Sequence, residues 1–140
     1  MLNNNSSNTL LKILSSIGLL FSIILTNISY ADPIKAAFVF VGPAKDVGWS
    51  HSHDLGRRHL EEKFGTNIKT EFVEFVPEGR SSRDVLQELA GRNDIVFATS
   101  LGYMISTEGI ARENPNVMFE HATGSRQAEN LSNYATRAYQ

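Results

Sequence analysis

The segment that follows the first apolar stretch holds most of the side chains that could do chemistry. Residues 45–54 read Lys-Asp-Val-Gly-Trp-Ser-His-Ser-His-Asp and include Trp49, the chain's one tryptophan. A tryptophan beside a glycine at the start of a helix can offer its ring to a flat ligand, and stacking on a base contributes about 1–3 kcal/mol. The same ring could instead fill the loop as part of the core, and the residue types alone leave both interpretations open.

Three histidines in and after this segment raise the question of a metal site. His51 and His53 are two residues apart, so on a helix they point to different faces, and the four-residue spacing of helical zinc sites is missing. The chain has no cysteine, which excludes a thiolate zinc site. We therefore predict no metal. A capping or solvated role, or a place on the rim of a ligand pocket, suits His53 better. Asp54 has Arg57 and Arg58 within pairing distance on a helix.

A second candidate region is the turn at residues 99–103, Thr-Ser-Leu-Gly-Tyr, which follows another short apolar stretch. Hydroxyls and free backbone N–H groups in such a turn suit hydrogen bonds to a polar ligand, although routine turn chemistry explains them equally well.

A Ser100–His121–Glu120 triad is disfavoured because neighbours on a strand point to opposite faces. The sequence also lacks the Gly-x-Ser-x-Gly, P-loop and Gly-x-Gly-x-x-Gly motifs. We predict a protein that is not an enzyme and needs no cofactor.

These segments must be positioned by alternating strands and helices. Hydrophobic patterning predicts strands at residues 34–42, 68–76, 94–99 and 117–120, with a fifth starting at Leu131, and helices at 50–64, 81–92 and 104–113. Gly56, Leu60 and Phe64 form the predicted apolar stripe of the first helix, and Ser81 is the predicted cap of the second. Such alternation indicates an α/β fold, a parallel sheet with helices on both faces. Ligands of such sheets bind beyond the carboxyl ends of the strands, which here carry the loops 42–49, 76–80, 99–103 and 121–124.

The first 31 residues have the pattern of a secretory signal. Lys12 precedes an interrupted apolar stretch, and Ser29-Tyr30-Ala31 places small residues where a signal peptidase needs them. We predict cleavage after Ala31 and a soluble, exported, periplasmic protein formed by residues 32–140. A net charge of −2 over 140 residues argues against binding to a nucleic-acid backbone.

Several of these segments, in order along residues 32–140, resemble one family. The most specific are Asp46-x-Gly48-Trp49 and the run Phe-Glu-His-Ala-Thr-Gly at 119–124. They resemble the basic membrane protein family, the purine nucleoside receptor-like substrate-binding proteins of ABC transporters. The resemblance implies a periplasmic-binding-protein type I-like fold of two lobes that close around a purine nucleoside or base, which an ABC permease then receives.

The resemblance also implies site residues. Trp49 occupies the place of the first-lobe aromatic that stacks on the base. The other implied ligand contacts are Ser50, His53, Thr99, Ser100 and Tyr103. Residues 40–43 lack the aspartate that many nucleoside-binding members carry there, and Leu101 stands where relatives commonly have phenylalanine.

The length of the chain bears on the same resemblance. Members of the family continue beyond the motif that ends this sequence, so the resemblance implies an incomplete first lobe, a weak binder that is poorly soluble or self-associates. Two alternatives are a truncated product with no transport role and an exported metal-dependent enzyme that uses His51, His53 and His121.

Overall fold

The computed structural model describes residues 31–135. Of the predicted signal, residues 1–31, only Ala31 falls inside that range, so the signal stays a prediction. In the described part of the chain, no helix has both the length and the apolar character needed to cross a membrane.

Within residues 31–135, five strands form one sheet. They are β1 (Ile34–Val39), β2 (Ile68–Val73), β3 (Ile95–Ala98), β4 (Met118–Ala122) and β5 (Leu131–Tyr134). The order across the sheet is β2-β1-β3-β4-β5, and every neighbouring pair is parallel. The predicted α/β fold with a parallel sheet is confirmed. Because the chain moves from β1 outward in both directions, the order reverses between β1 and β3, and a crevice is expected there at the carboxyl ends of the strands.

In the described part of the chain, three α-helices connect the strands: α1 (Trp49–Phe64), α2 (Ser82–Ala90) and α3 (Met104–Glu113). The predicted cap of α2 is wrong, because the Ser81 hydroxyl donates to the Glu78 carbonyl oxygen at 3.2 Å instead of accepting from the helix. Helix α1 ends at Phe64, as predicted, and Gly65 follows it. Gly65 has a φ of 52°, a left-handed conformation that glycine adopts without steric cost.

The two faces of the sheet are covered unequally. On the face under α2 and α3, which we call the covered face, thirteen described residues form a buried apolar cluster around Val39, Val96, Phe119 and Leu86. On the face under α1, which we call the open face, the buried cluster has four members: Ala36, Phe38, Phe40 and Ala44. Alternate residues of the same strands therefore differ in how far they are removed from water.

Helix α1 packs on the sheet with a different stripe from the one predicted. Phe64 is 45% exposed, while the buried residues of α1 are Ser50, Asp54 and Arg57. The Arg57 guanidinium lies 4.8 Å above the ring of Phe72. It donates to Asp54 Oδ1 and to the hydroxyl of Thr70, each at 2.7 Å. The guanidinium thus packs on an aromatic ring and satisfies its hydrogen bonds at once, which the hydrophobic pattern could not show.

Candidate functional site

The loop after β1 and the turn after β3 lie side by side at the carboxyl edge of the sheet. The backbone N–H of Thr99 donates to the Val39 carbonyl oxygen at 3.2 Å, and the Thr99 hydroxyl donates to the same oxygen at 2.6 Å. These two bonds fix the start of the turn to the end of β1. The crevice expected from the strand order is therefore bounded by loop 42–49 on one side and by turn 99–103 on the other.

Trp49 bridges the two sides of this crevice. Its indole Nε1–H donates to the Thr99 carbonyl oxygen, and the side chain remains 39% exposed. Gly48, directly before it, has a φ of 131°. Other residues rarely adopt that conformation, so the glycine permits the turn that places the indole at the first position of α1. Sequence considerations left open whether this ring is core or surface, and the structure places it at the crevice, partly exposed.

Ser50 is buried beside Trp49. Its Oγ accepts a hydrogen bond from the backbone N–H of Gly42 at 3.1 Å, which ties the loop after β1 to the first turn of α1. Its hydroxyl hydrogen can still be donated. Ser50 therefore supports the loop, and it lies next to the indole.

The turn after β3 is held from two sides. The Ser100 hydroxyl donates to Glu78 Oε1, and the Ser100 carbonyl oxygen accepts from Nε2 of the buried His121 at 2.8 Å. Tyr103 is fully buried, and its hydroxyl donates to the Val76 carbonyl oxygen at 2.7 Å. Burial, together with the charge of Glu78, raises the pKa of Tyr103, so its hydroxyl stays protonated. Tyr103 thus lies beneath the turn and packs in the core.

His53 lies one helical turn beyond Trp49. Its Nδ1–H donates to the Trp49 carbonyl oxygen at 2.9 Å, and the two ring centroids are 4.7 Å apart. On its other side His53 approaches Tyr134, at 6.0 Å between centroids. His53 therefore touches the indole, but it also lines a cavity of about 530 Å³ on the open face. A smaller cavity of about 200 Å³ lies in the loop that leads to Trp49.

Two carboxylates at this edge were not singled out from the sequence. Glu74 Oε1 accepts from the backbone N–H of Ala44 at 2.5 Å, and Glu78 holds Ser100. A Cβ at residue 102 would collide with the Glu78 side chain, so Gly102 is required for the turn to approach Glu78. The loop 76–80 was expected at this edge, but nothing in its sequence indicated which partner its carboxylate would meet.

Two exposed apolar side chains were also missed as candidates. Phe75 directly follows β2, with a φ of 56° and 65% exposure, and Leu101 in the turn after β3 is exposed as well. A left-handed conformation at a phenylalanine is strained and is found more often at functional sites. Both side chains lie at the carboxyl edge of the sheet, where ligands of parallel sheets bind.

The residues considered for catalysis and metal binding are arranged as follows. Glu120 and His121 face opposite sides of β4, with His121 buried and Glu120 on the open face. His51 Nδ1–H donates to the Ala44 carbonyl oxygen at 2.8 Å. Within residues 31–135, no three side chains of His, Asp or Glu converge in a way that could hold a metal ion.

Comparison with known proteins decides the family. The profile described as "ABC transporter substrate-binding protein PnrA-like" matches residues 34–140. The chain belongs to this family of substrate-binding proteins. It is a family of binding proteins and not of enzymes.

Two curated relatives show how much of a family member this chain represents. A purine-binding protein of Brucella abortus is 39% identical over 110 residues, which are 78% of this chain and 31% of the relative. The Haloferax volcanii protein TsgA13, whose name assigns it provisionally to glucose binding for an ABC transporter, is 35% identical over 112 residues, 80% of this chain and 28% of the relative. The chain thus spans about 30% of the length of these relatives.

Solved structures agree on the fold. A solute-binding protein of an ABC transporter system from Conexibacter woesei superposes with a TM-score of 0.66 at 16% identity, over 73% of this chain and 35% of that protein. At this identity the likeness concerns the fold, which is that of ABC solute-binding proteins.

Proposed function

We propose that this PnrA-like chain forms the first lobe of an exported, periplasmic solute-binding protein that delivers a purine nucleoside or base to an ABC importer. The observation that carries the ligand class is the placement of Trp49 at the reversal of strand order, partly exposed and fixed by its bond to the Thr99 carbonyl oxygen. The name of the Brucella abortus relative supports a purine.

In this proposal the Trp49 indole stacks on the base. Its orientation is set before the ligand arrives, because the Nε1–H bond anchors one edge of the ring to the neighbouring strand. A fixed ring loses less rotational freedom on binding than a mobile one, so more of the stacking energy appears as affinity.

The other candidate residues take two kinds of role. Ser50 and Ser100 lie at the crevice, next to the indole and in the turn opposite, and are proposed as polar contacts to the ligand. Thr99 and Tyr103 direct their hydroxyls to the carbonyl oxygens of Val39 and Val76, so they are proposed to hold the turn in place. His53, which packs against Trp49, is proposed as a contact at the rim.

A single lobe presents one aromatic face and its own polar groups. The chain spans about 30% of its curated relatives, so the opposing contacts of a two-lobed site would come from outside the matched residues. Losing a second stacking partner costs about 1–3 kcal/mol and each missing hydrogen bond about 0.5–1.5 kcal/mol. We expect these 140 residues alone to bind about a thousandfold more weakly than a two-lobed member.

Substitution of Trp49 tests the proposal. Trp49→Ala should weaken binding of adenosine, guanosine, inosine or adenine by about 1–3 kcal/mol, a factor of about 5 to 150. His53→Ala should cost less, because a rim contact is partly solvated. Affinities are measured by NMR titration, which reports millimolar binding, with circular dichroism as a check on folding.

Phe64→Ala is the matched control, since Phe64 is also a partly exposed aromatic residue of α1 but lies at its opposite end. Glucose serves as the control ligand. Equal purine affinities for the wild type and a folded Trp49→Ala protein would contradict the stacking role, and binding of glucose in preference to every purine would contradict the ligand class.

A further inference from the structure

We propose that His121 is a positioning residue for the Trp49 indole, which it holds in place through the carbonyl groups of residues 99–100. Gly124 and Asn133 hold the imidazole from its other side. This inference rests on the proposed function, because it concerns the ring that is proposed to stack on the base. It gives a role to the buried end of β4, which none of the proposed ligand contacts uses.

The turn after β3 connects the indole to the imidazole. The Thr99 carbonyl oxygen accepts from the indole Nε1–H. The next carbonyl oxygen, that of Ser100, accepts from Nε2–H of His121 at 2.8 Å and from the backbone N–H of Tyr103 at 3.0 Å. Ser100 has an extended backbone, with a φ of −140° and a ψ of 143°, so the two carbonyl groups point to opposite sides of the chain. Loss of the imidazole bond frees the backbone torsions of Ser100, which also set the direction of the Thr99 carbonyl.

Two buried polar atoms lie behind the imidazole. A carbonyl oxygen only accepts, so the bond to Ser100 places a hydrogen on Nε2 of His121 and leaves Nδ1 as an acceptor in the neutral ring. Asn133, the register neighbour of His121 on β5, donates from Nδ2 to the Arg126 carbonyl oxygen at 2.7 Å. Its Oδ1, like Nδ1 of His121, is buried and has no hydrogen-bond partner among the described residues. Two acceptors on adjacent strands are thus left for a third group to contact.

Gly124 is that group. A Cβ built on it would lie 1.8 Å from His121 Nδ1 and 2.3 Å from Asn133 Oδ1, so no atom larger than hydrogen fits there. The Cα hydrogen that replaces the side chain in glycine points between the two acceptors, and such C–H groups are weak donors. Gly124 does not have a left-handed conformation, so the close approach is what requires glycine. The imidazole is therefore held between Gly124 and the Ser100 carbonyl.

The residue before Gly124 is strained in a way that maintains this contact. Thr123 has a φ of 63°, a left-handed conformation that a β-branched residue rarely adopts. Its backbone N–H donates to the Tyr134 carbonyl oxygen at 2.7 Å, which fixes it to the end of β5. Strain of this kind persists only where the surroundings fix the conformation. The left-handed residue turns the chain after β4 and returns Gly124 to the imidazole three positions earlier.

The chain's one tryptophan provides a specific test, because a single indole Nε1–H resonance reports the bond to Thr99. Solvent exchange of this N–H is measured by NMR in the purified chain without ligand. His121→Asn, whose shorter side chain does not reach Ser100, should speed the exchange about tenfold, since the stabilisation by one hydrogen bond is lost. His121→Gln, which keeps an N–H donor at the position of Nε2, should exchange like the wild type.

Gly124→Ala should have the same effect as His121→Asn, because its methyl group would displace the imidazole. Two matched controls should exchange like the wild type. Gly56→Ala adds a methyl group where nothing lies within 4 Å, and His59→Asn makes the same change at an exposed position of α1. Asn133→Ala, at a partly buried position, should give a smaller increase in exchange. It takes the place of any buried variant that circular dichroism shows to be unfolded.

Purine affinity separates positioning from a merely structural role. In an NMR titration, adenosine should bind about tenfold more weakly to folded His121→Asn and Gly124→Ala than to the wild type. His121→Gln should keep the wild-type affinity, even though it leaves part of the space of the ring empty and so lowers the stability.

Three outcomes would overturn the inference: His121→Gln behaves like His121→Asn, neither His121→Asn nor Gly124→Ala changes the indole exchange, or the exchange rises while the adenosine affinity stays the same. A wild type that binds none of the purine compounds would contradict the proposed function instead. The indole exchange is measured without ligand, so it would still decide whether His121 holds the ring.

Discussion

The two faces of the sheet are built from alternate residues of the same strands, yet they reach different degrees of burial. Two helices seal the covered face, where Phe119 and Val96 are fully buried. Among the described residues, one helix lies on the open face, where Phe97, one residue after Val96, is only partly buried. An apolar strand pattern predicts that both sides of a strand are to be covered. How far each side is buried depends on the helices that pack on that face.

Two glutamates, one on each face, differ in their hydrogen-bond partners and in the direction of their pKa shifts. On the covered face, Glu71 accepts two hydrogen bonds from Arg92, each at 2.9 Å, and another from Asn93. The bonds from Arg92 lower the pKa of Glu71. On the open face, burial raises the pKa of Glu120, whose charge in turn adds to the burial that raises the pKa of Tyr134 to about 12. A carboxylate with a partner is stabilised in its ionised form, and one without a partner is not.

The largest expected effect compares the two faces directly. Phe119→Ala should lower the free energy of unfolding by about 3–5 kcal/mol, because it leaves a cavity in the sealed cluster. Phe97→Ala should cost about 1–2 kcal/mol, because the ring is already partly in contact with water. Urea denaturation of both variants measures the difference. Equal losses would show that the open face is sealed as well as the covered one.

A smaller effect is expected from the ion pairs under α1. Asp54→Ala should lower the free energy of unfolding by about 1–3 kcal/mol, since it leaves the buried Arg57 without its main partner. The loss is moderated because Arg57 also donates to Glu61 at 2.9 Å. Arg58→Ala serves as the control. Arg58 also binds Asp54, but it is exposed, so its removal should cost less than about 1 kcal/mol. A loss of more than about 1 kcal/mol for Arg58→Ala would show that Arg58, and not Arg57, is the main partner of Asp54.

The smallest effect concerns the two glutamates, and its sign reverses between them. The folded-state pKa of Glu120 lies above its unfolded value of 4.5, so ionisation destabilises the fold as the pH rises. Glu120→Gln should therefore stabilise the protein at pH 7, by less than about 1 kcal/mol, and the gain should vanish as the pH falls below 4.5.

Glu71 behaves in the opposite way. Its folded-state pKa lies below 4.5, so its stabilising contribution is complete above 4.5 and is lost as the pH falls through the folded value. Glu71→Gln should destabilise the protein at pH 7, by no more than about 1 kcal/mol because the pair is partly exposed. Thermal unfolding between pH 3 and pH 7 measures both. Changes in stability of the same sign in the two variants would contradict the expected difference between the two faces.

Much of the fold was accessible from the sequence because it depends on local order. The positions of the strands, the loops at their carboxyl ends and the glycine before Trp49 follow from patterning within short windows, and the structure confirms the strands and the parallel sheet. The partners of Trp49 and Ser100 were not accessible. The indole meets a carbonyl oxygen fifty positions away, and Ser100 meets Glu78 from another loop. Such pairs form only once the strand order is set.

Apolar runs, turn residues and local motifs act over a few residues, and they were enough to predict the class of fold and the family. The tertiary structure decided which helix residues face the sheet. Helix α1 buries Asp54 and Arg57, since Phe72 and Thr70 on β2 offer the guanidinium a ring and a hydroxyl at the required distances. It also decided that Glu71 has a partner while Glu120 has none among residues 31–135, because the assembled sheet places Arg92 beside one carboxylate and Phe97 beside the other.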